Sequence, residues 1–238
     1  MKIHKFCKKI IALRWALRSL PFSIFFNFWY LPFHQAIKLP ILFYKPSFYD
    51  LKGTVSFDKS VKIRTGLVQL GLTKCPLYPN TGFVWENHGG NVIFKGRCVI
   101  GNSSSISVGE KGLLCIGHRF KATASFRIAA YHSIEFKEKV EFGWDCLVID
   151  SDFHKMTKLD GNYTKGYGSI LLKSNIWVGS KSIILKNTAI TDYCTVAAGS
   201  KVSGKYEEMY SIIGNSSACS VLKKGLWRNI DDDAIIYE

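Results

Sequence analysis

Asp150, Asp152 and His154 stand at alternate positions in the stretch CLVIDSDFHKM, Cys146 to Met156. Imidazole is the side chain best suited to take a proton near neutral pH, and a neighbouring carboxylate can hold its tautomer and stabilise the imidazolium. In an extended segment, alternation would put all three side chains on one side. The spacing does not itself choose between the carboxylates; Asp152 is preferred as the group that orients the ring. Asp-x-His alone does not make a site, and its weight here comes from position. The stretch leaves a repetitive region, a polar, glycine-rich segment KLDGNYTKGYGS follows, and the repeat resumes at Trp177. Loops carried on a rigid scaffold are where binding and chemistry tend to sit.

The scaffold is legible in the segment that follows. Between Trp177 and Ser203, aliphatic residues return every six positions, at Val178, Ile184, Ile190, Val196 and Val202. Small residues, Ser182, Thr188, Cys194 and Ser200, stand two places before the last four of them. A six-residue period fits neither a helix face nor a two-residue strand alternation. It marks a parallel β-helix, in which each short side of a triangular coil supplies one inward aliphatic residue and one small corner residue. The period recurs at Val55, Val61 and Leu67, at Phe94, Ile100 and Ile106, and at Ile128, Ile134, Val140 and Cys146. A solenoid from about Gly53 to Gly204, with roughly six or seven coils, is expected. The division is therefore residues 1–49 as a basic, aromatic helical segment, 50–204 as the all-β solenoid with a loop at 151–175, and 205–238 as a short carboxyl-terminal extension.

Seven cysteines without paired spacing fit reduced thiols in a cytosolic protein, and Cys98, Cys146 and Cys194 fall at repeat positions as core filler. The net charge of +14 is uneven: no acidic residue precedes Asp50, whereas Lys2, Lys5, Lys8, Lys9, Arg14 and Arg18 crowd the beginning. Ile3, Phe6, Ile10, Leu13, Leu17 and Leu20 form one helical face that Pro21 is expected to end. Such a basic amphipathic helix suits an anionic membrane surface. Ser19 to Ile37 carries no formal charge, but Pro21, Asn27, Pro32, His34 and Gln35 interrupt it. An aromatic interfacial hairpin is expected rather than a membrane span, with these rings also able to cover the first coil. Arg14 and Arg18 break the apolar core that a cleavable signal peptide would need. No nucleic-acid-binding module is visible, and nucleic acid is not an expected partner.

DSDFH followed by IWVGSKSIILKNTAITDYCTVAAGS resembles the hexapeptide-repeat acyltransferases, near the maltose and galactoside O-acetyltransferases and the O-acetyltransferases of capsule and surface polysaccharides. The resemblance implies a left-handed parallel β-helix, a homotrimer, and acetyl-CoA as co-substrate in the groove between adjacent subunits, without a metal. It implies His154 as the base that deprotonates a sugar hydroxyl for direct attack on the thioester. Trp177, Gly179 and Ser180 match the segment lining the pantetheine groove, and Ala197 and Ala198 the turn whose backbone meets the cofactor. Lys223 or Lys224 matches a cation near the CoA phosphates, although Ser216 replaces a usual proline and Gly204 a usual lysine. The opening of the chain also resembles that of acyltransferases from polysaccharide loci, which implies a peripheral position at the inner face of the cell membrane and a lipid-linked acceptor.

Other readings share the repeat. A zinc carbonic anhydrase of β-helix type needs three converging histidines. His88, His118 and His132 are the candidates beside His154, and none shows close ligand spacing. A nucleotidyltransferase needs a nucleotide domain for which residues 1–49 are too few. A non-catalytic β-helix, acting as scaffold or binding surface, is the alternative to the enzyme, and a dispensable His154 would mark it.

Overall fold

A computed structural model of the chain describes residues 19–154, 165–215 and 219–224. Its strands fall in three sheets of nine, seven and seven members. Successive strands visit the three sheets in turn, and each pairs in parallel with the strand three places later. That connectivity is a three-sided solenoid of seven complete coils, from Ile41–Phe43 to Lys205–Tyr206. Ser211–Asn215 then adds to the first sheet, and Cys219–Lys224 pairs with it antiparallel.

The six-residue period sets this shape. Val178, Ile184, Ile190, Val196 and Val202 are all buried to within 1% and fill the interior, while Ser182, Thr188, Cys194 and Ser200 are buried at the corners. Each fully buried aliphatic side chain contributes about 1.5–3 kcal/mol. From Asn175 to Gly199 the chain turns each corner on one left-handed residue, recurring every six positions at Asn175, Lys181, Asn187, Tyr193 and Gly199. Cys98 and Cys146 are also interior, and burial pushes the Cys146 thiol up to about 11, so it is not a nucleophile at neutral pH.

The expected boundaries at 49/50 and 204/205 fall inside coils, because Ile41–Phe43 and Pro46–Leu51 belong to the first coil and Lys205–Tyr206 completes the seventh. Val55 points inward as expected, but Val61 does not. It lies half-exposed in a corner tightened by Asp58, whose side chain accepts from the Ser60 N–H at 3.0 Å. The next inward residues are Val68 and Leu70, with Leu67 buried just before them.

A lid closes the amino-terminal end. Residues 19–30 are helical (α1) and Phe33–Ala36 forms a further turn (α2). Pro21 lies within α1 and does not end it; the apolar face from Ile3 to Leu17, with the basic residues around it, is outside the described residues. Phe26 is fully buried and meets the rings of Phe43 and Trp85 at 4.7 and 4.9 Å. The polar residues that interrupt this apolar stretch satisfy the open strand edge. Asn27 donates to the Ile41 carbonyl at 2.7 Å and accepts from the Ile41 N–H, and the Phe43 N–H donates to Ser23 Oγ at 2.9 Å. Trp29 Nε1 and the Tyr30 hydroxyl donate to the carbonyls of Leu51 and Lys52. An exposed strand edge invites pairing with another chain, and the lid covers this one. Among the described residues no helix is long and apolar enough to cross a membrane.

Candidate functional site

The loop bearing His154 leaves the solenoid after Leu147–Ile149 of the second sheet and returns before Ile170–Leu172 of the third. A short antiparallel neck pins its base. Ser151 bridges to Tyr167, the Asp152 N–H donates to the Gly166 carbonyl at 2.7 Å, and the Gly168 N–H donates to the Asp150 carbonyl at 3.0 Å. Gly168 passes so close to Asn187 that a Cβ would lie 1.9 Å from its Oδ1, so a larger residue there would have to displace the Asn187 amide. The apex, residues 155–164, is outside the described residues.

The two aspartates have different tasks. Asp150 is fully buried and accepts from the N–H groups of Tyr131 and His132, both at 2.8 Å. Burial pushes its carboxyl up, against the lowering effect of those bonds. It fastens the loop's departure point to the neighbouring coil. Asp152 is exposed and its carboxylate pairs with the Lys186 ammonium. The expected pairing of Asp152 with His154 is therefore not formed: a full cation competes for the carboxylate better than a neutral imidazole does. The expected alternation also fails, because Phe153 takes a left-handed conformation at φ +59° and turns the chain. His154 emerges beyond that turn with an exposed side chain.

The solenoid edge beside this loop carries a polar and aromatic stripe that the sequence reading did not single out. Phe153 packs edge-on against Tyr131 at 4.6 Å, and the Tyr131 hydroxyl lies 3.0 Å from Ser107 Oγ. Ser107 donates to Glu86 at 2.5 Å, and His88 bridges Glu86 and Asp50, at 3.2 Å to each. On the other side of the neck, a shallow cleft of about 280 Å³ is lined by Asp152, Lys186, Asn187 and Ser203 among others. These residues come from different coils, and only the stacking of corners brings them together. A cue did exist: Lys186 follows the inward Ile184 by two places, the corner phase at which Gly204 follows Val202.

Trp177, Gly179, Ser180, Ala197 and Ala198 gather on another edge, between the first and second sheets. Trp177 faces outward, 38% exposed, in register with Glu141 and Thr195. A Cβ on Gly179 would lie 2.6 Å from the Ala198 backbone nitrogen, and one on Gly143 would lie 2.4 Å from Ser180 Oγ. Small residues thus let successive corners stack tightly, leaving Ala198 and Gly199 exposed. Cys146 reinforces this edge from inside, its thiol donating to the Gly179 carbonyl at 3.3 Å. Lys223 sits in the closing hairpin opposite Ile212, and Ser216 is outside the described residues. A further cleft of about 370 Å³ lies on the outer face of the first sheet and is lined by Arg97, Arg119, Lys121 and Glu141 among others. It is remote from the His154 loop.

The histidines weighed as zinc ligands are engaged separately. His88 lies between its two carboxylates, His118 Nδ1 accepts from the Arg97 N–H at 3.2 Å, and the His132 ring packs 4.7 Å from Tyr167. Among the described residues no three His, Cys, Asp or Glu side chains converge as a metal site.

No protein-family model matches the chain, and no curated protein matches it by sequence. Solved structures do resemble it. One is that of the polySia-specific acetyltransferase NeuO, 14% identical over 80% of this chain and 75% of that one, with a TM-score of 0.48. Another is the polysialic acid O-acetyltransferase OatWY, 14% identical over 81% and 92%, with a TM-score of 0.36. A third is AntD, an N-acyltransferase from Bacillus cereus in complex with dTDP and 3-hydroxybutyryl-CoA, 17% identical over 82% and 89%, with a TM-score of 0.36.

Proposed function

We propose that this chain is a CoA-dependent O-acyltransferase that moves an acetyl group from acetyl-CoA to a sugar hydroxyl, of a surface polysaccharide or its lipid-linked precursor, with His154 as general base. The observation that carries the reading is the exposed imidazole of His154, held at the base of a pinned loop on a hexapeptide solenoid. An alcohol needs a base to become a nucleophile, whereas a thioester is already activated. The imidazole takes the hydroxyl proton as the oxygen attacks the thioester carbonyl. Collapse of the tetrahedral intermediate expels the CoA sulfur, which takes the proton back from the imidazolium. Backbone N–H groups suit the transient oxyanion. The stripe of Tyr131, Ser107, Glu86 and His88 offers ring faces and hydrogen-bonding groups of the kind that hold a sugar.

Acetyl-CoA fits the other edge, where Gly179, Ser180, Ala197 and Ala198 keep side chains out of the way of the pantetheine and Trp177 borders it, with Lys223 toward the phosphates. One chain keeps this edge apart from His154 by the width of the second sheet. A left-handed homotrimer, in which the His154 edge of one copy faces the Trp177 edge of the next, would close the site. In this reading Asp152 acts through Lys186 on the rim rather than on the ring.

The test is CoA release from acetyl-CoA with a soluble sugar acceptor, alongside calorimetric titration with CoA. His154→Ala should lower turnover by about 10²–10⁴-fold with CoA binding intact. Unimpaired turnover would remove His154 from the mechanism. A folded trimer that binds no acyl-CoA would assign the chain to the scaffold reading.

A further inference from the structure

The lid has a second face that the solenoid meets only along its rim, where Trp29 donates to the Leu51 carbonyl and Phe22 and Phe25 approach the Phe48 ring. Ser23, Phe26 and Asn27 turn inward, whereas Phe22, Phe25, Phe28, Trp29, Phe33 and Ile37 are left exposed, Trp29 to 60% and Phe33 to 69%. The outer rings associate with one another, Phe25 with Trp29 at 5.8 Å and Phe28 with Phe33 at 5.9 Å. A solvated helix face ordinarily carries charge, but Ser19 to Ile37 has no Lys, Arg, Asp or Glu. A contiguous apolar patch of this kind marks a contact surface.

Charge identifies the partner. Residues 1–66 hold twelve Lys and Arg against two acids, Asp50 and Asp58, a net of +10 out of the chain's +14. Lys38, Lys59, Lys62 and Arg64 in this region are exposed. An aromatic, uncharged face carried by a strongly cationic part of the sequence is complementary to an anionic lipid bilayer, where rings enter the headgroup layer and cations meet the phosphates. We infer that the outer face of the lid docks on an anionic membrane surface, lying on the bilayer without spanning it. The two faces of one helix would then divide the work, one closing the solenoid and the other meeting lipid.

Co-sedimentation of the full chain with phosphatidylcholine vesicles, with and without phosphatidylglycerol, tests this. Binding is expected to require phosphatidylglycerol and to weaken with salt. The double variant Phe28→Glu/Phe33→Glu should partition at least about tenfold less well while keeping the parent's melting temperature and its turnover of a soluble acceptor. Failure of the parent to bind anionic vesicles, or undiminished binding by the variant, overturns the inference. So does a lipid-free oligomer of the parent that the variant dissolves, which would assign the face to a second copy. Neither result bears on the acyltransferase reading, which is judged by turnover and CoA binding.

Discussion

At the amino-terminal end of the solenoid the interior is filled by Phe26, Phe43, Phe83 and Trp85, whereas between Ile176 and Val202 the same position in the coil is filled by isoleucine and valine. Corners differ in the same way. Near the beginning they wander, with residues 58–67 and 71–82 between strands; near the end each turns on a single left-handed residue, six positions from the last. The aromatic end has only to be closed, so any set of rings that fills it with its lid will serve. At the other end the backbone must stack corner on corner, as at Gly179 against Ala198, and side-chain size is dictated.

Three substitutions would break or sharpen that contrast. Phe26→Ala should cost the most, about 3–5 kcal/mol in chemical denaturation, because it removes the ring that ties the lid to Phe43 and Trp85. A cost below about 1 kcal/mol would mean that the lid merely rests on the coil. Gly179→Ala should cost about 1–3 kcal/mol, since its Cβ meets backbone that cannot move freely. Unlike Phe26→Ala, it should also weaken CoA binding in calorimetry; equal affinity in the two variants would detach this edge from the cofactor. Val61→Ala should change the free energy of unfolding in chemical denaturation least, by less than about 0.5 kcal/mol, although Val61 keeps the repeat's phase. A core-sized loss there would restore it to the interior.

The same contrast explains what the sequence could disclose. From Val178 to Val202 one residue in six is both buried and aliphatic, so strand, corner and core are read from spacing alone. The first coil escaped because Ile41–Phe43 and Pro46–Leu51 lie in an apolar stretch with no period, and the expected boundary at 49/50 cuts through the second of these strands. Asn27 was read as an interruption, when it is the hydrogen-bonding group that covers the first strand's edge. At the candidate site, His154 and its loop were visible as a break in the repeat. Its neighbours were not, because Tyr131, Ser107 and Glu86 lie one coil apart and meet only through stacking. The pairing of Asp152 escaped for a related reason: Lys186 is remote in sequence and adjacent in space.

The closing hairpin has a consequence for the molecule's length. Stacked coils have no natural end, since the final strand of each sheet could template another chain as well as its own. On the first sheet, Cys219–Lys224 runs antiparallel against Ser211–Asn215, so an incoming parallel strand would find the wrong direction of chain and no matching ladder. With α1 over the opposite edge, the first sheet is covered at both of its ends among the described residues.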